Sequence, residues 1–365
     1  MVIDEFLKIA IERDASDLHF KAGNHPMIRV HGTLTPLTGF PRLTTADCEE
    51  LSNQMMTDFQ RKRLREEFDI DLAYSLPGFG RFRGSIYYQR GSLAIALRII
   101  PLEVKTIRQL LLPEVLEKVA FYQRGLVLVT GTTGSGKTTT LAAMIEYINT
   151  FRRENILTIE DPIEYLYKDK KSIIAQREVG PDTMRFANAL RASFRQDPDV
   201  ILIGEIRDQD TMETAMSAAD TGHLVMSTLH TMNAVETISR ILSFFPPHQH
   251  QQVRLVLSSV LVAVISLRLL PKKDAGGRIP AAEIMINNAA TAEYILNPEK
   301  SHLIMPAMAE GYTQYGSQTF DQSLLQLYRD DLITFQVAKT NASNPDDFEL
   351  KVKGVEGTSD RRWGG

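Results

Sequence analysis

Gly131 to Thr138 reads GTTGSGKT, which has the G-x-x-x-x-G-K-[ST] spacing of a phosphate-binding loop. It follows a short apolar run, Leu126 to Thr130, and precedes a helix-forming stretch, Thr138 to Asn149, the context the pattern requires. Gly131, Gly134 and Gly136 let main-chain N–H groups turn inward around phosphate oxygens, and the helix that starts there adds the positive end of its dipole. Lys137 is placed to bridge β- and γ-phosphates and the Thr138 hydroxyl to ligate Mg²⁺, with Thr133, Ser135 and Thr139 completing the ATP-binding loop. A glycine-rich turn without a ligand is the alternative. Spacing, the Lys-Thr pair and the strand-helix context together argue against it.

Two carboxylate segments follow. TIEDPIE, Thr158 to Glu164, places Glu160, Asp161 and Glu164 at the end of a strand-like run, and ligands of open α/β sheets bind at that carboxyl edge. Glu160, Asp161 and Glu164 are then candidates to reach Mg²⁺ or an attacking water, and a solvated acidic turn is the plainer reading. In DPDVILIGEIRD, four apolar residues after Asp199 lead to Gly204 and Glu205, the layout of a Walker B segment with glutamate as its acid. Glu205 is therefore the candidate metal residue, acting through water. Arg207 and Asp208 read equally well as a cap on the next helix. In TGHLVMSTLHT, His223 and His230 flank a strand-like stretch, so an extended chain turns them to opposite faces and at most one faces the nucleotide. His230 is the candidate γ-phosphate sensor. No cysteine or further histidine cluster stands near enough to suggest a metal site there.

These residues need a sheet to hold them. From Gly125 the grammar is β-loop-α, with Leu126–Thr130, Ile156–Ile159 and Val200–Ile203 apolar without alternation, as suits parallel strands covered on both faces. Before it, Met1–Arg13 and Thr44–Glu67 read as helices, and Met27–Val30, Phe79–Tyr88 and LAIALRII as strands, until Ile100-Pro101 breaks the last one. The expected organisation is an N-terminal domain over 1–100, a linker over 101–117, an α/β domain over 118–350 that is helical from 281, and a tail over 351–365 too poor in apolar residues to fold.

Composition narrows the classes. With 41 Lys and Arg against 45 Asp and Glu, the net charge of −4 argues against a polybasic nucleic-acid or lipid-surface protein. The single cysteine, Cys48, cannot form an internal disulfide, and the acidic N-terminus lacks the form of a secretory signal, so the chain reads as intracellular. Leu255–Leu267, uncharged between Arg254 and Arg268, is shorter than the roughly 20 residues a spanning helix needs. It reads as a buried core helix, leaving peripheral contact as the only membrane association expected.

The ordered segments GTTGSGKTTT, TIEDPIE, QREVG, ALRASFRQDPDVILIGEIRD and TGHLVMSTLHT resemble the secretion ATPases of type IV pilus and type II secretion systems, and among them the pilus retraction ATPases. ASDLHFKAG, Ala15 to Gly23, and GRFRGSIYYQRG are similar to that family's ASDLH and GRFR segments. The resemblance implies an α/β fold: a PAS-like N-terminal domain and a RecA-like ATPase domain with a parallel core sheet, assembled as a ring homohexamer. ATP would lie between the two domains, with a neighbouring subunit closing the site. By position it implies Walker A residues from Gly134 to Thr139, a general base at Glu164, the Walker B glutamate at Glu205, a His box at His223 and His230, and arginine fingers at Arg83 and Arg98, with Arg81 as a third. Read without the resemblance, those arginines are exposed strand charges. It further implies a cytoplasmic motor at the inner-membrane face, acting on a polytopic platform protein and on no nucleic acid. The lack of any cysteine after Cys48 departs from the four-cysteine zinc element of extension and type II relatives and favours the retraction branch. Ala290-Thr291-Ala292 stands where retraction ATPases carry Ala-Ile-Arg, which keeps open an accessory paralog working beside another retraction ATPase. Outside the family, a nucleic-acid-moving RecA-like ring and a nucleotide-switched scaffold with negligible hydrolysis share these motifs.

Overall fold

The computed structural model describes residues 1–100, 103–274 and 276–354. They divide into two compact units, Met1–Glu103 with Glu164–Leu166, and Val104–Ile163 with the chain from Tyr167 on.

In the first unit, α1 (Ile3–Glu12) buries Ile3, Phe6, Leu7 and Ala10, the i, i+3, i+4, i+7 stripe of an amphipathic helix. Then come β1 (Ala15–Lys21), β2 (Met27–Val30), β3 (Thr33–Pro36), α2 (Thr45–Met55), α3 (Asp58–Glu67), β4 (Asp69–Leu76), β5 (Gly80–Gln89) and β6 (Ser92–Ile100). The strands form one antiparallel sheet in the order β3-β2-β1-β6-β5-β4. The two-residue period sends Leu18 and Phe20 of β1 into the core with Phe82, Ile95 and Leu97, and leaves Asp17, His19 and Lys21 on the other face. This one-faced sheet fits the PAS-like domain expected. The single helix expected over Thr44–Glu67 is two. Met56 is extended (φ −102°, ψ 139°), and Thr57 restarts the helix with a capping box, its N–H donating to Gln60 Oε1 at 2.9 Å.

The second unit opens with α4 (Val115–Val119). Its further elements are β7 (Gly125–Thr130), α5 (Lys137–Phe151), β8 (Asn155–Glu160), β9 (Ile173–Glu178), α6 (Phe186–Ser193), β10 (Val200–Ile203), α7 (Gln209–Asp220), β11 (Leu224–Leu229), α8 (Ala234–Ser243), α9 (His250–Val260), β12 (Leu261–Pro271) and β13 (Arg278–Ile286). Helices complete it: α10 (Ala289–Leu296), α11 (Ile304–Glu310), α12 (Tyr312–Tyr315), α13 (Phe320–Arg329), α14 (Phe335–Asn341) and α15 (Pro345–Val352). The sheet order is β13-β12-β7-β11-β10-β8-β9, parallel except for the β12–β13 pair. Alternate residues of the central strands feed two separate cores: Leu126, Leu128, Ile201 and Ile203 on one face, Val127, Val129, Val200 and Leu202 on the other. Burial on both faces is why these runs show no alternation.

Four expectations change here. Leu255–Leu267 is half helix and half strand: α9 ends at Val260, and β12 begins at Leu261 and pairs with both β7 and β13. Its β-branched Val262, Val264 and Ile265 suit a strand, and a short apolar run has no period that separates strand from helix. Residues 281–286, expected helical, belong to β13. The segment 104–117, expected as linker, packs into the second unit, with Ile107, Leu112 and Leu116 buried in its core. Lys351 and Val352 of the expected tail end α15, and residues 355–365, like Pro101 and Leu102, lie outside the described residues.

Candidate active site

Parallel strands end at the same edge. β7, β8, β10 and β11 end at Thr130, Glu160, Ile203 and Leu229, so Gly131, Glu160, Glu205 and His230 gather at one carboxyl edge of the second unit.

The phosphate loop is built as its glycines require. Gly131 has φ +138° and Gly136, the residue preceding α5, has φ +97°. A Cβ at Gly131 would stand 2.5 Å from Ser135 Oγ and 2.6 Å from the main-chain oxygen of Leu267. Lys137, 8% exposed, donates from Nζ to the carbonyls of Gly131 (2.9 Å) and Thr132 (3.0 Å), so its ammonium lies over the loop. Ser135, 3% exposed, has a buried Oγ without a hydrogen-bond partner among the described residues. A buried hydroxyl of that kind calls for an acceptor or donor, which a phosphate oxygen supplies. Thr138 and Thr139 sit half-buried in the first turn of α5, and Thr133 and Gly134 are exposed at the loop's tip. These residues fit a nucleoside triphosphate. Among the described residues no group of three or more His, Cys, Asp or Glu side chains could hold a metal ion.

Gly131→Ala tests the loop directly. The clash and the left-handed backbone are each expected to destabilise the fold by roughly 1–3 kcal/mol, and ADP binding should be lost with them. Denaturant unfolding and equilibrium dialysis against ADP check both.

Glu205 is flanked on both sides. Arg207 pairs with its Oε1, and His230 Nε2 stands 3.6 Å from its Oε2. Beneath it, Thr228 Oγ1 donates to the Gly204 carbonyl at 2.7 Å, tying the end of β10 to β11. Asp208 caps α7, accepting the Thr211 N–H at 2.8 Å, so of the two residues read as a cap only Asp208 is one. Glu160 is buried, its Oε1 accepting from Thr158 Oγ1 (2.7 Å) and Gln176 Nε2 (3.2 Å). His223 does not join the site. It precedes β11, at the opposite edge from His230, where its Nδ1 meets the Ala218 carbonyl at 3.0 Å and its ring packs edge-on against Phe194.

Glu164 is exposed and belongs to the segment that groups with the first unit, as do Arg83 and Arg98. Arg83 on β5 is in register with Arg98 on β6, and Arg98 with Asp17 on β1. Like charges directly opposite repel, and the carboxylate beside them offsets this. Arg98 Nε donates to Asp17 Oδ1 at 3.0 Å, and Arg29 Nε lies 3.7 Å from Oδ2. Burial pushes the Asp17 carboxyl up, but the Ser16 hydrogen bond and the Arg98 guanidinium outweigh it and hold the group below the ordinary carboxylate value. Sequence reasoning missed Asp17 and Arg29 because they meet Arg98 only through strand pairing.

Comparison with known proteins gives one consistent answer. The family described as "Type II/IV secretion system protein" matches residues 1–302. A type IV pilus ATPase of Pseudomonas aeruginosa, PilU, is 41% identical over 99% of this chain and 94% of its own. The type IV pilus retraction ATPase PilT of the same organism is 42% identical over 95% of this chain and its whole length. The crystal structure of the pilus retraction motor PilT with bound ADP superposes with a TM-score of 0.88 at 47% identity, covering 96% of this chain and 99% of that one.

Proposed function

Since the chain belongs to the type II/IV secretion system protein family, we propose that it works as a homohexameric, Mg²⁺-dependent motor for type IV pilus retraction. It is an ATPase of the retraction type. The observation that carries the reading is the loop itself: a buried Ser135 hydroxyl without a partner among the described residues, beside a Lys137 ammonium poised over Gly131 and Thr132.

The proposed division of labour follows from where each residue sits. The loop and the start of α5 would bind the phosphates, Thr138 would hold Mg²⁺, and Glu205, through water, and the buried Glu160 would be the further residues of its site. Bound Mg²⁺ would supply charge neutralisation on the β- and γ-phosphate oxygens. Glu164 orients and deprotonates the attacking water, His230 senses the γ-phosphate, and Arg83 and Arg98 neutralise charge developing in the transition state. Because Glu164 and both arginines group with the first unit and the loop with the second, ATP would reward their closure and product release would undo it. In a ring at the cytoplasmic face of the inner membrane, that alternation would act on a platform protein and withdraw pilin subunits. Among the described residues no helix is long and apolar enough to cross a membrane.

A second reading, an accessory retraction ATPase working beside a paralog, has its own support. The relative named PilU is as similar to this chain as the one named PilT. At the position of the retraction ATPases' Ala-Ile-Arg, Thr291 is buried and serves as a helix cap, its Oγ1 accepting the Asn288 N–H at 2.8 Å. Deletion decides between the two. Over-piliated cells without twitching are expected for the main motor, and normal retraction after deletion for the accessory one.

A further inference from the structure

Across the second unit's sheet runs a rung of polar side chains closed to solvent. Thr130, the last residue of β7 and the neighbour of Gly131, shares a 2.8 Å hydrogen bond between its Oγ1 and Ser266 Oγ on β12. Thr130 is in register with Ser266, and Ser266 with Glu283 on β13. Glu283 is 1% exposed, and its Oε1 accepts the main-chain N–H of Ala234 at 2.8 Å. Ala234 opens α8, four residues after His230. The same helix start is held twice more: Asn233 Oδ1 accepts the Glu236 N–H at 2.8 Å, and Glu236 Oε2 accepts the Met232 N–H at 2.8 Å.

A carboxyl group in a core is unfavourable unless it is bonded, and an apolar residue of similar volume would avoid the penalty. We propose that Glu283 is a positioning residue for ATP hydrolysis: by anchoring the first turn of α8 it fixes the loop from His230 to Asn233, and so the place of His230 beside Glu205. The proposal rests on the functional reading above and adds a residue to it. Glu283 touches neither phosphate nor water in this role. It acts through the helix.

The groups facing Glu283 come from four elements. Arg268 of β12 stacks over the Phe320 ring at 3.9 Å and donates from Nη1 to the Asn341 carbonyl at 2.8 Å, and Asp321 stands on α13. Glu236 of α8 and His302, just before α11, line the same cavity of about 540 Å³ with Glu283. Burial pushes the Glu283 carboxyl up to about 7, against the Ala234 N–H and Arg268, with Asp321 adding to the rise. Protonation below that point weakens the acceptor at the helix start, where a negative charge is favoured. Turnover carried by a well-placed His230 should therefore fall as pH falls through about 7.

The experiment compares the full chain with Glu283→Gln, which keeps an oxygen for the Ala234 N–H but cannot ionise. Steady-state ATP hydrolysis from about pH 6 to 8, ADP affinity and backbone hydrogen exchange are measured on both. The expected result is turnover lower by about 10- to 100-fold above neutral pH, loss of the one-proton step near neutrality, and ADP affinity and KM within about 2-fold. Amides of 231–238 should exchange faster while those of β7 stay protected. Unchanged turnover and an unchanged pH profile would overturn the proposal. So would faster exchange throughout the second unit with parallel loss of ADP binding, which marks a folding defect. If Glu283→Gln does not fold, Ala234→Pro removes the donor at a first helical position that tolerates proline, and the same readouts apply. Should the unaltered chain bind no ADP, the functional reading fails on its own, and the exchange comparison still decides whether Glu283 anchors α8.

Discussion

Replacing Arg98 with alanine is expected to slow ATP turnover by about 10³- to 10⁵-fold, roughly 4–7 kcal/mol of transition-state stabilisation, with the fold intact. The reasoning starts from exposure. The Arg98 side chain is 74% exposed, and its one hydrogen bond among those described here is to Asp17, a surface pair worth less than about 1 kcal/mol. Little stability is therefore at stake, and a large kinetic loss must come from chemistry. Arg98→Lys should recover only part of the rate, since an ammonium is a point charge without the guanidinium's fork. Mixing carries the test further. An Arg98→Ala chain and a Lys137→Ala chain, each inactive alone, should regain activity together if the guanidinium serves a site completed by another chain. Arg98→Ala chains that fail to assemble would assign the residue to ring formation instead.

Glu164→Gln is expected to lower turnover by about 10²- to 10⁴-fold while ADP affinity stays the same, the signature of a lost general base. Glu164 is exposed and groups with the first unit while the loop belongs to the second, so the substitution should not alter how Lys137 or Ser135 meet phosphate. Single-turnover phosphate release separates binding from chemistry. If release is unchanged, Glu164 has no part in the reaction and Glu205, flanked by Arg207 and His230, becomes the carboxylate to examine.

The site was legible in sequence where its chemistry is local. A phosphate loop needs glycines, lysine and threonine at fixed offsets, and Val200–Ile203 was recognisable as a buried parallel strand because both its faces are covered. The break at Thr57 was hidden because a capping box is made by polar side chains inside an otherwise charged, helix-like run. The change from α9 to β12 was hidden because Leu255–Leu267 is apolar throughout, and with that strand went Ser266 and the register that brings Glu283 to Thr130. Asp17 was invisible as a partner because its bond to Arg98 spans 81 residues of chain. The two-residue period of β1 turns Asp17 away from Leu18 and Phe20. Only the strand order tells who stands opposite.

That opposite number bears on the cycle proposed for this ATPase. Asp17 lies between two guanidinium groups, so when Arg98 is drawn to another anion, Arg29 at 3.7 Å remains to keep the carboxylate company. If Arg98 serves as the proposed finger, its departure strands no charge in either state. A contact that can be exchanged without an orphan on either side is one that reverses easily, which is what repeated strokes demand.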